Sequence, residues 1–298
     1  MKRIFMIVIG SVMCLPSFAQ YAKKQTLQQK KEAEKQVSNS GVYVRAGIGY
    51  AFANAGQTLT TYNEPFSGNG HSTNGNSFSS YDMKKVSFTA GMQAHIAAGY
   101  MFNKNLGAEL GANIGMSTNK YSSVVTFPSA DQTRSIEQDI KQYVTTPVFL
   151  LPSLVLQAGI KKLNVYSKGS IVLPLSVKPV TELFQKSTLN GTSEVNTIAV
   201  TTEMKTKFHP GFGGALGLSY KTSSHISIWV EGNLVSYSAY AKEEVLTRYE
   251  QDGVNYLSRI SAANRTTTYN TKSGGNADPT YSLPMSNMGI NAGVKLDL

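Results

Sequence analysis

The chain contains a single cysteine, Cys14, inside an N-terminal apolar stretch. If that stretch is removed, no thiol remains, which excludes disulfides, thiol catalysis and thiolate-bound metal. Histidine is also scarce: 4 are scattered along the chain without ligand spacing, so no metal site is expected. Beyond the N-terminus no run approaches the roughly 18 apolar residues of a spanning helix. Charged residues make up only 15% of the chain, against about 25% in an ordinary soluble domain. Glycine and tyrosine are plentiful instead, and Asn, Ser and Thr crowd a few segments. Such a composition suits β-structure joined by polar loops.

The N-terminus reads as an export signal over residues 1–19. Lys2 and Arg3 precede the apolar run Ile4 to Leu15, and Ser17-Phe18-Ala19 offers a small-x-small cleavage pattern before Gln20. The bulky Met13 before Cys14 argues against lipid attachment there. Residues 20–40 are rich in Lys, Gln and Glu and too poor in large apolar groups to fold alone, so a flexible periplasmic tail is expected. The formal net charge is +10. Part of it lies in this tail (Lys23, Lys24, Lys30, Lys31, Lys35), and the rest is thinly spread along the sequence. Without a basic stripe or an aromatic platform, nucleic acid is not an expected partner.

From Gly41 onward the pattern has a period of two. Val42, Val44, Ala46, Ile48, Tyr50 and Phe52 share one face, and Tyr43, Arg45, Gly47, Gly49 and Ala51 the other. The alternation recurs from Val86 to Phe102, Leu106 to Ser117, Lys207 to Tyr220, Ile226 to Leu234 and Asn287 to Leu298. Val148 to Gln157 is apolar on both faces and holds Pro152, preceded by Pro147. Leu163 to Leu175 alternates less cleanly. Proline removes a ladder donor, so irregular pairing is expected there. Short links (103–105, 159–162, 221–225) alternate with long ones (55–85, 119–142, 177–206, 240–283).

This predicts an all-β fold: an eight-stranded antiparallel up-and-down transmembrane β-barrel, residues 41–298, with short periplasmic turns and long extracellular loops. The apolar stripes hold no charge in the middle of the strands, as a lipid-facing surface requires. Their opposite faces carry Gly, Ala and Asn with isolated charges, as a narrow lumen requires. In lipid an open sheet edge is unaffordable, so the sheet must close. Tyr50, Phe52, Tyr100, Phe102 and Tyr220 are candidates for interfacial aromatic girdles.

The segments GVYVRAGIGYAF, AHIAAGYMFNKNLGAELGANIG and FGGALGLSYKTSSHISIWVEGNLVSY resemble the small outer-membrane β-barrel family, which includes the barrel domain of outer membrane protein A and eight-stranded porin-like relatives. The resemblance implies a cell outer membrane location and contact with its lipid. It also implies recognition by the barrel-assembly machinery through Asn291, Gly293, Leu296 and Leu298, although the family usually ends in an aromatic residue.

Parity places Arg45, His95, Glu109, Lys168, Lys207, His209, Glu231 and Lys295 on inward faces. Buried charges must be paired, so these residues are expected to form a polar network that plugs the lumen. No serine stands two residues from either inward histidine on a strand, so no catalytic residues, no cofactor and no enzyme activity are expected. The expected role is structural or interactive, through long outer loops that contact an envelope protein or glycan. The fourth loop adds Tyr240, Tyr249, Tyr256, Tyr269 and Tyr281 to such a surface. The alternatives are a lipid-modifying outer-membrane enzyme or a narrow porin-like channel.

Overall fold

The computed structural model describes residues 41–53, 69–72, 78–81, 86–129, 131–270 and 278–298. The expected signal and tail, residues 1–19 and 20–40, lie outside the described residues, as does most of the first long link. Among the described residues there is no α-helix, and nearly all the chain is strand.

The period-two segments form β1 (Gly41–Ala53), β2 (Gly91–Met101), β3 (Leu106–Thr118), β4 (Arg134–Ile160), β5 (Leu163–Leu189), β6 (Gly211–Lys221), β7 (Ile226–Ser236) and β8 (Asn287–Asp297). Each pairs antiparallel with the next, from β1 with β2 through to β7 with β8. The last strand then returns to the first, from Tyr43 opposite Asp297 to Ala53 opposite Asn287. The sheet therefore closes in a ring, and no ring strand is left with an unpaired edge.

Three tight links lie at one end. Asn103 Oδ1 accepts the amides of Asn105 and Leu106 at 2.8 and 2.9 Å, the side-chain mimicry that makes Asn a turn residue. Lys161, with φ 60°, and Lys162 join β4 to β5. Thr222 and Ser223 both donate their amides to the Ile226 carbonyl.

The two faces of the ring differ in kind. Outward positions carry apolar side chains left in the open, among them Ile48 (61% exposed), Leu110, Leu154, Leu216 (67%), Val230 and Ile290. Exposed aromatics edge this belt: Tyr100, Phe102 and Tyr220 near the tight links, and Tyr50, Phe52 and Phe212 toward the other end. Inward positions are buried and mix polar groups with glycine.

In four places the strands depart from the sequence reading. Val86, Phe88 and Ala90 do not extend β2; they are buried, and the Ala90 amide bonds back to Ser87. The pairing starts only at Gly91, whose φ of 129° and 1.8 Å approach of a would-be Cβ to the Ser117 carbonyl exclude any side chain. Phe88 instead packs with Phe149, Leu151, Val172, Val235, Tyr237 and Met285 in a core at the end away from the tight links. Burying one phenylalanine there contributes roughly 1.5–3 kcal/mol.

The second departure is larger. The expected loops at 119–142, 177–206 and 240–283 are mostly strand. Strands β4 and β5 are each 27 residues long, where about 9–11 suffice to cross a bilayer. Beyond the belt they pair with Tyr121–Pro128 and Val195–Lys207, and the latter pairs with Ser238–Gln251, building a crown that stands on one end of the ring.

Third, the irregularity expected in the fourth segment falls at Thr145 to Val148, where the β4–β5 register shifts around Pro147; Pro152 itself sits in register with Leu110. Fourth, Pro210 separates Lys207 from β6, which starts at Gly211 rather than at Lys207.

In the crown, the Asp131 carboxylate caps a hairpin by accepting from the Ser129 hydroxyl and from the amide and hydroxyl of Thr133. The Ser129 bond is the leading cause that lowers its pKa from 3.8 to about 2. A depressed acid stabilises the folded hairpin above its unfolded pKa and loses that contribution as pH falls from about 4 to 2. The expected NMR titration of Asp131 therefore has its midpoint near 2, and a midpoint near 3.8 would show that the cap is not formed.

Candidate functional site

Four ionised side chains meet inside the ring, one from each alternate strand: Arg45 on β1, Glu109 on β3, Lys168 on β5 and Glu231 on β7. Their signs alternate around the ring. Each cation therefore touches both carboxylates: Arg45 at 3.2 Å from Glu109 and 3.0 Å from Glu231, and Lys168 at 3.0 and 2.9 Å from the same two. All four side chains are at most 4% exposed. Buried charges survive only with close counter-charges and further hydrogen bonds, and both are present. The Tyr43 hydroxyl donates to Glu109 at 2.9 Å, the Tyr166 hydroxyl donates to Glu231 at 3.0 Å, and Arg45 donates to the Tyr166 oxygen at 2.8 Å. The guanidinium of Arg45 also stacks 3.9 Å from the centroid of Trp229.

The neighbouring strands make room for these long side chains. A Cβ on Gly217 would stand 2.3 Å from Tyr166 Cζ, and one on Gly47 would stand 2.5 Å from the Trp229 ring. Gly217→Val is therefore expected to cost about 1–3 kcal/mol by overpacking and to push Tyr166 off Glu231. Gly169, with nothing within 4 Å of its would-be Cβ, should tolerate alanine without such a loss. Urea midpoints of the two variants in lipid vesicles measure the difference.

His95 lies at the rim of this group. Its Nδ1 is 2.7 Å from Asn113 Oδ1, and its ring meets Trp229 edge-on. A cavity of about 30 Å³ lies among His95, Glu109, Asn113, Lys168, Glu231 and Asn291. At 10–15 Å³ per site, that is space for about two water molecules. Ser153 and Ser170 border it with their hydroxyls 2.7 Å apart. Among the described residues no cluster of His, Cys, Asp or Glu could hold a metal ion.

Of the residues expected in the lumen, Arg45, Glu109, Lys168 and Glu231 converge and His95 adjoins them. Lys295 sits apart, toward the tight links, paired with Asp297 at 2.9 Å and lying 4.3 Å above the Tyr43 ring. Lys207 and His209 are corrections. Lys207 ends a crown strand opposite Tyr240, and His209 is exposed with its ring 5.1 Å from that of Tyr240. The period of two does not extend across Pro210, which has no amide hydrogen to continue a ladder.

Of the four residues assigned to assembly, Asn291 reaches Glu231 at 3.4 Å, and Gly293 faces Gly47 across the β1–β8 seam. Leu296 and Leu298 point outward and are exposed.

Sequence reasoning missed Tyr43, Tyr166, Trp229 and Asn113. The signal for three of them was available. Tyr43, Tyr166 and Trp229 each stand two residues before Arg45, Lys168 and Glu231, on the same face of the same strand.

A closed ring of antiparallel strands with an apolar exterior and a charged interior is thus the class of protein described. No protein-family model matches the chain, and no curated protein matches it. Among solved structures it is similar to the crystal structure of the outer membrane protein OprG from Pseudomonas aeruginosa, with 14% sequence identity and a TM-score of 0.40, over 87% of this chain and 96% of that one.

Proposed function

We propose that this chain is an integral outer-membrane protein, an eight-stranded up-and-down barrel whose lumen is closed by the Arg45–Glu109–Lys168–Glu231 network and whose crown is a binding platform outside the membrane. The carrying observation is the exposed apolar belt on a ring without edges. Water-soluble monomers rarely expose contiguous apolar patches beyond a few hundred Å², and closure satisfies the backbone as hydrocarbon demands. The export signal read at residues 1–19 directs such a barrel to the envelope, and the tight links then face the periplasm.

The closed lumen leaves the crown as the part that can meet a partner. Its pleated faces carry Tyr143, Phe184, Tyr249 and paired charges, a surface suited to an envelope protein or glycan. The role is that of a non-catalytic component.

The test is flotation with phosphatidylcholine vesicles followed by planar-bilayer recording. The expected protein floats with the lipid and shows no steady unitary conductance. Recovery in the aqueous fraction without detergent overturns the membrane reading. A stable conductance step replaces the closed barrel with a narrow pore.

A further inference from the structure

The net charge of the ring is not evenly placed. In sequence, Lys104, the pair Lys161-Lys162 and Lys221 lie in three separate links. In the fold these links are neighbours along one rim: the Gln157 amide donates to the Asn105 carbonyl at 2.8 Å, and the Lys221 amide donates to the Lys162 carbonyl at 2.8 Å. The rim from the β2–β3 link to the β6–β7 link therefore carries four lysines in an arc. No carboxylate interrupts the arc. The nearest acids along the ring are spoken for, Asp297 by Lys295 and Glu109 by the lumen cations.

In the crown four cations stand beside acids, Arg134 with Glu194, Lys141 with Asp139, Lys205 with Glu243 and Arg248 with Glu250, at 2.6–2.9 Å. Its other lysines, Lys120, Lys178, Lys186 and Lys207 among them, are spread over several segments away from the apolar belt and serve as the control for charge alone.

Directly next to the lysine arc, on the outer face, begin the exposed apolar and aromatic side chains Tyr100, Phe102, Leu106, Leu156, Leu163 and Tyr220. A bound group must therefore be anionic at one end and hydrocarbon at the other. Ser223 and Ser224 in the adjoining link carry hydroxyls at the same level.

We infer that the lysine arc at the tight-link rim is a docking surface for anionic glycerophospholipid, with the phosphodiester on Lys104, Lys161, Lys162 and Lys221 and the acyl chains along the adjoining apolar belt. The inference rests on the membrane reading above and adds to it the leaflet and the lipid class. Exposed lysines attract an anionic surface within a Debye length, about 10 Å at 0.1 M salt.

The test uses the whole mature chain in mixed micelles of equal phosphatidylglycerol and phosphatidylcholine, with retained lipid counted by native mass spectrometry. The wild type is expected to hold phosphatidylglycerol about fivefold over phosphatidylcholine, the ratio that corresponds to roughly 1 kcal/mol from a lysine near an anionic surface. The variant K104Q/K161Q/K162Q/K221Q is expected to lose that preference, and the crown variant K120Q/K178Q/K186Q/K207Q to keep it.

Equal retention of the two lipids by the wild type, or an undiminished preference in the rim variant, overturns the inference. Loss of preference in both variants also overturns it, since net charge alone would then explain the effect. Should the rim variant not reach the heat-modifiable mobility of a folded barrel, the milder K161Q/K162Q variant, confined to one tight link, is expected to weaken the preference, and an undiminished preference there overturns the inference. A chain that does not float with phosphatidylcholine vesicles overturns the membrane reading and the docking surface with it. A chain that floats but shows no preference overturns the docking surface alone.

Discussion

Replacing Arg45 with alanine is expected to destabilise the folded barrel by about 3–5 kcal/mol, the usual consequence of removing one partner from a buried ion pair. The substitution leaves Lys168 alone between Glu109 and Glu231, two carboxylates that it touches at 3.0 and 2.9 Å. It also removes the cation stacked on Trp229. Lys168→Met tests charge loss with less change in packing and should fall in the same range.

Neutralising all four groups together, as Arg45→Met, Glu109→Gln, Lys168→Met and Glu231→Gln, is expected to cost less than Arg45→Ala alone. No charge is then left buried without its counterpart, whereas the single variant keeps two anions against one cation. Urea unfolding in lipid vesicles, followed by the fluorescence of the single tryptophan, measures both. A quadruple variant less stable than the single one would show that the network contributes packing rather than charge balance.

The second large effect is expected on the exterior. Val230, 43% exposed on β7, lies in the middle of the belt, opposite Leu218 and Ala292 on the flanking strands. On the proposed membrane reading, Val230→Arg places a guanidinium in hydrocarbon and is expected to cost about 2–4 kcal/mol near the bilayer midplane. Phe184 is equally exposed at 47% but lies in the crown. Phe184→Arg should change stability by no more than about 0.5 kcal/mol, as for an ordinary wet surface. Equal penalties at the two sites would mean that belt and crown face the same medium, and the proposed boundary between them would be lost.

The strands that were legible in the sequence are those with a different medium on each face. Along β1, β3, β7 and β8 the outward residues are apolar and the inward ones small or polar, so a period of two stands out. Val86 and Phe88 obey the same period by accident. The positive φ of Gly91 breaks the strand between them and Met92, and a backbone angle leaves no mark on hydropathy.

The crown segments look like loop in sequence for a related reason. They lack a face that is apolar throughout: Val195–Lys207 scatters Thr197, Thr201, Thr202 and Thr206 among apolar and charged neighbours and looks like a polar linker. A signal did exist. Asp252-Gly253 has φ values of 48° and 78° and joins Gln251 to Val254 as a two-residue hairpin. That dipeptide is a strong short-range hairpin mark. Asn190-Gly191, with a positive φ at the glycine, marks the hairpin at the tip of β5.

Parity alone assigned the inward direction of Arg45, Glu109, Lys168 and Glu231, because side-chain direction along a strand is a local property. Their meeting in a square is not local. It depends on how far each strand is slid against its neighbours when the ring closes, and pairings such as Arg45 with Lys295 and Glu231 with Gly217 are set by all the strands together. Lys207 and His209 show the limit of the method, since one proline was enough to detach them from the strand whose parity they shared.

What the sequence determined unaided was the two-sidedness of each ring strand and the tight links with their Asn and Lys residues. These follow from side-chain type and from angles spanning two or three residues. The tertiary structure alone decided that the signs of the lumen charges alternate around the ring, that polar links extend the sheet into a crown, and that four distant lysines share one rim. Each of these is a relation between residues tens of positions apart, created only when β8 pairs with β1 and the register of the whole sheet is fixed.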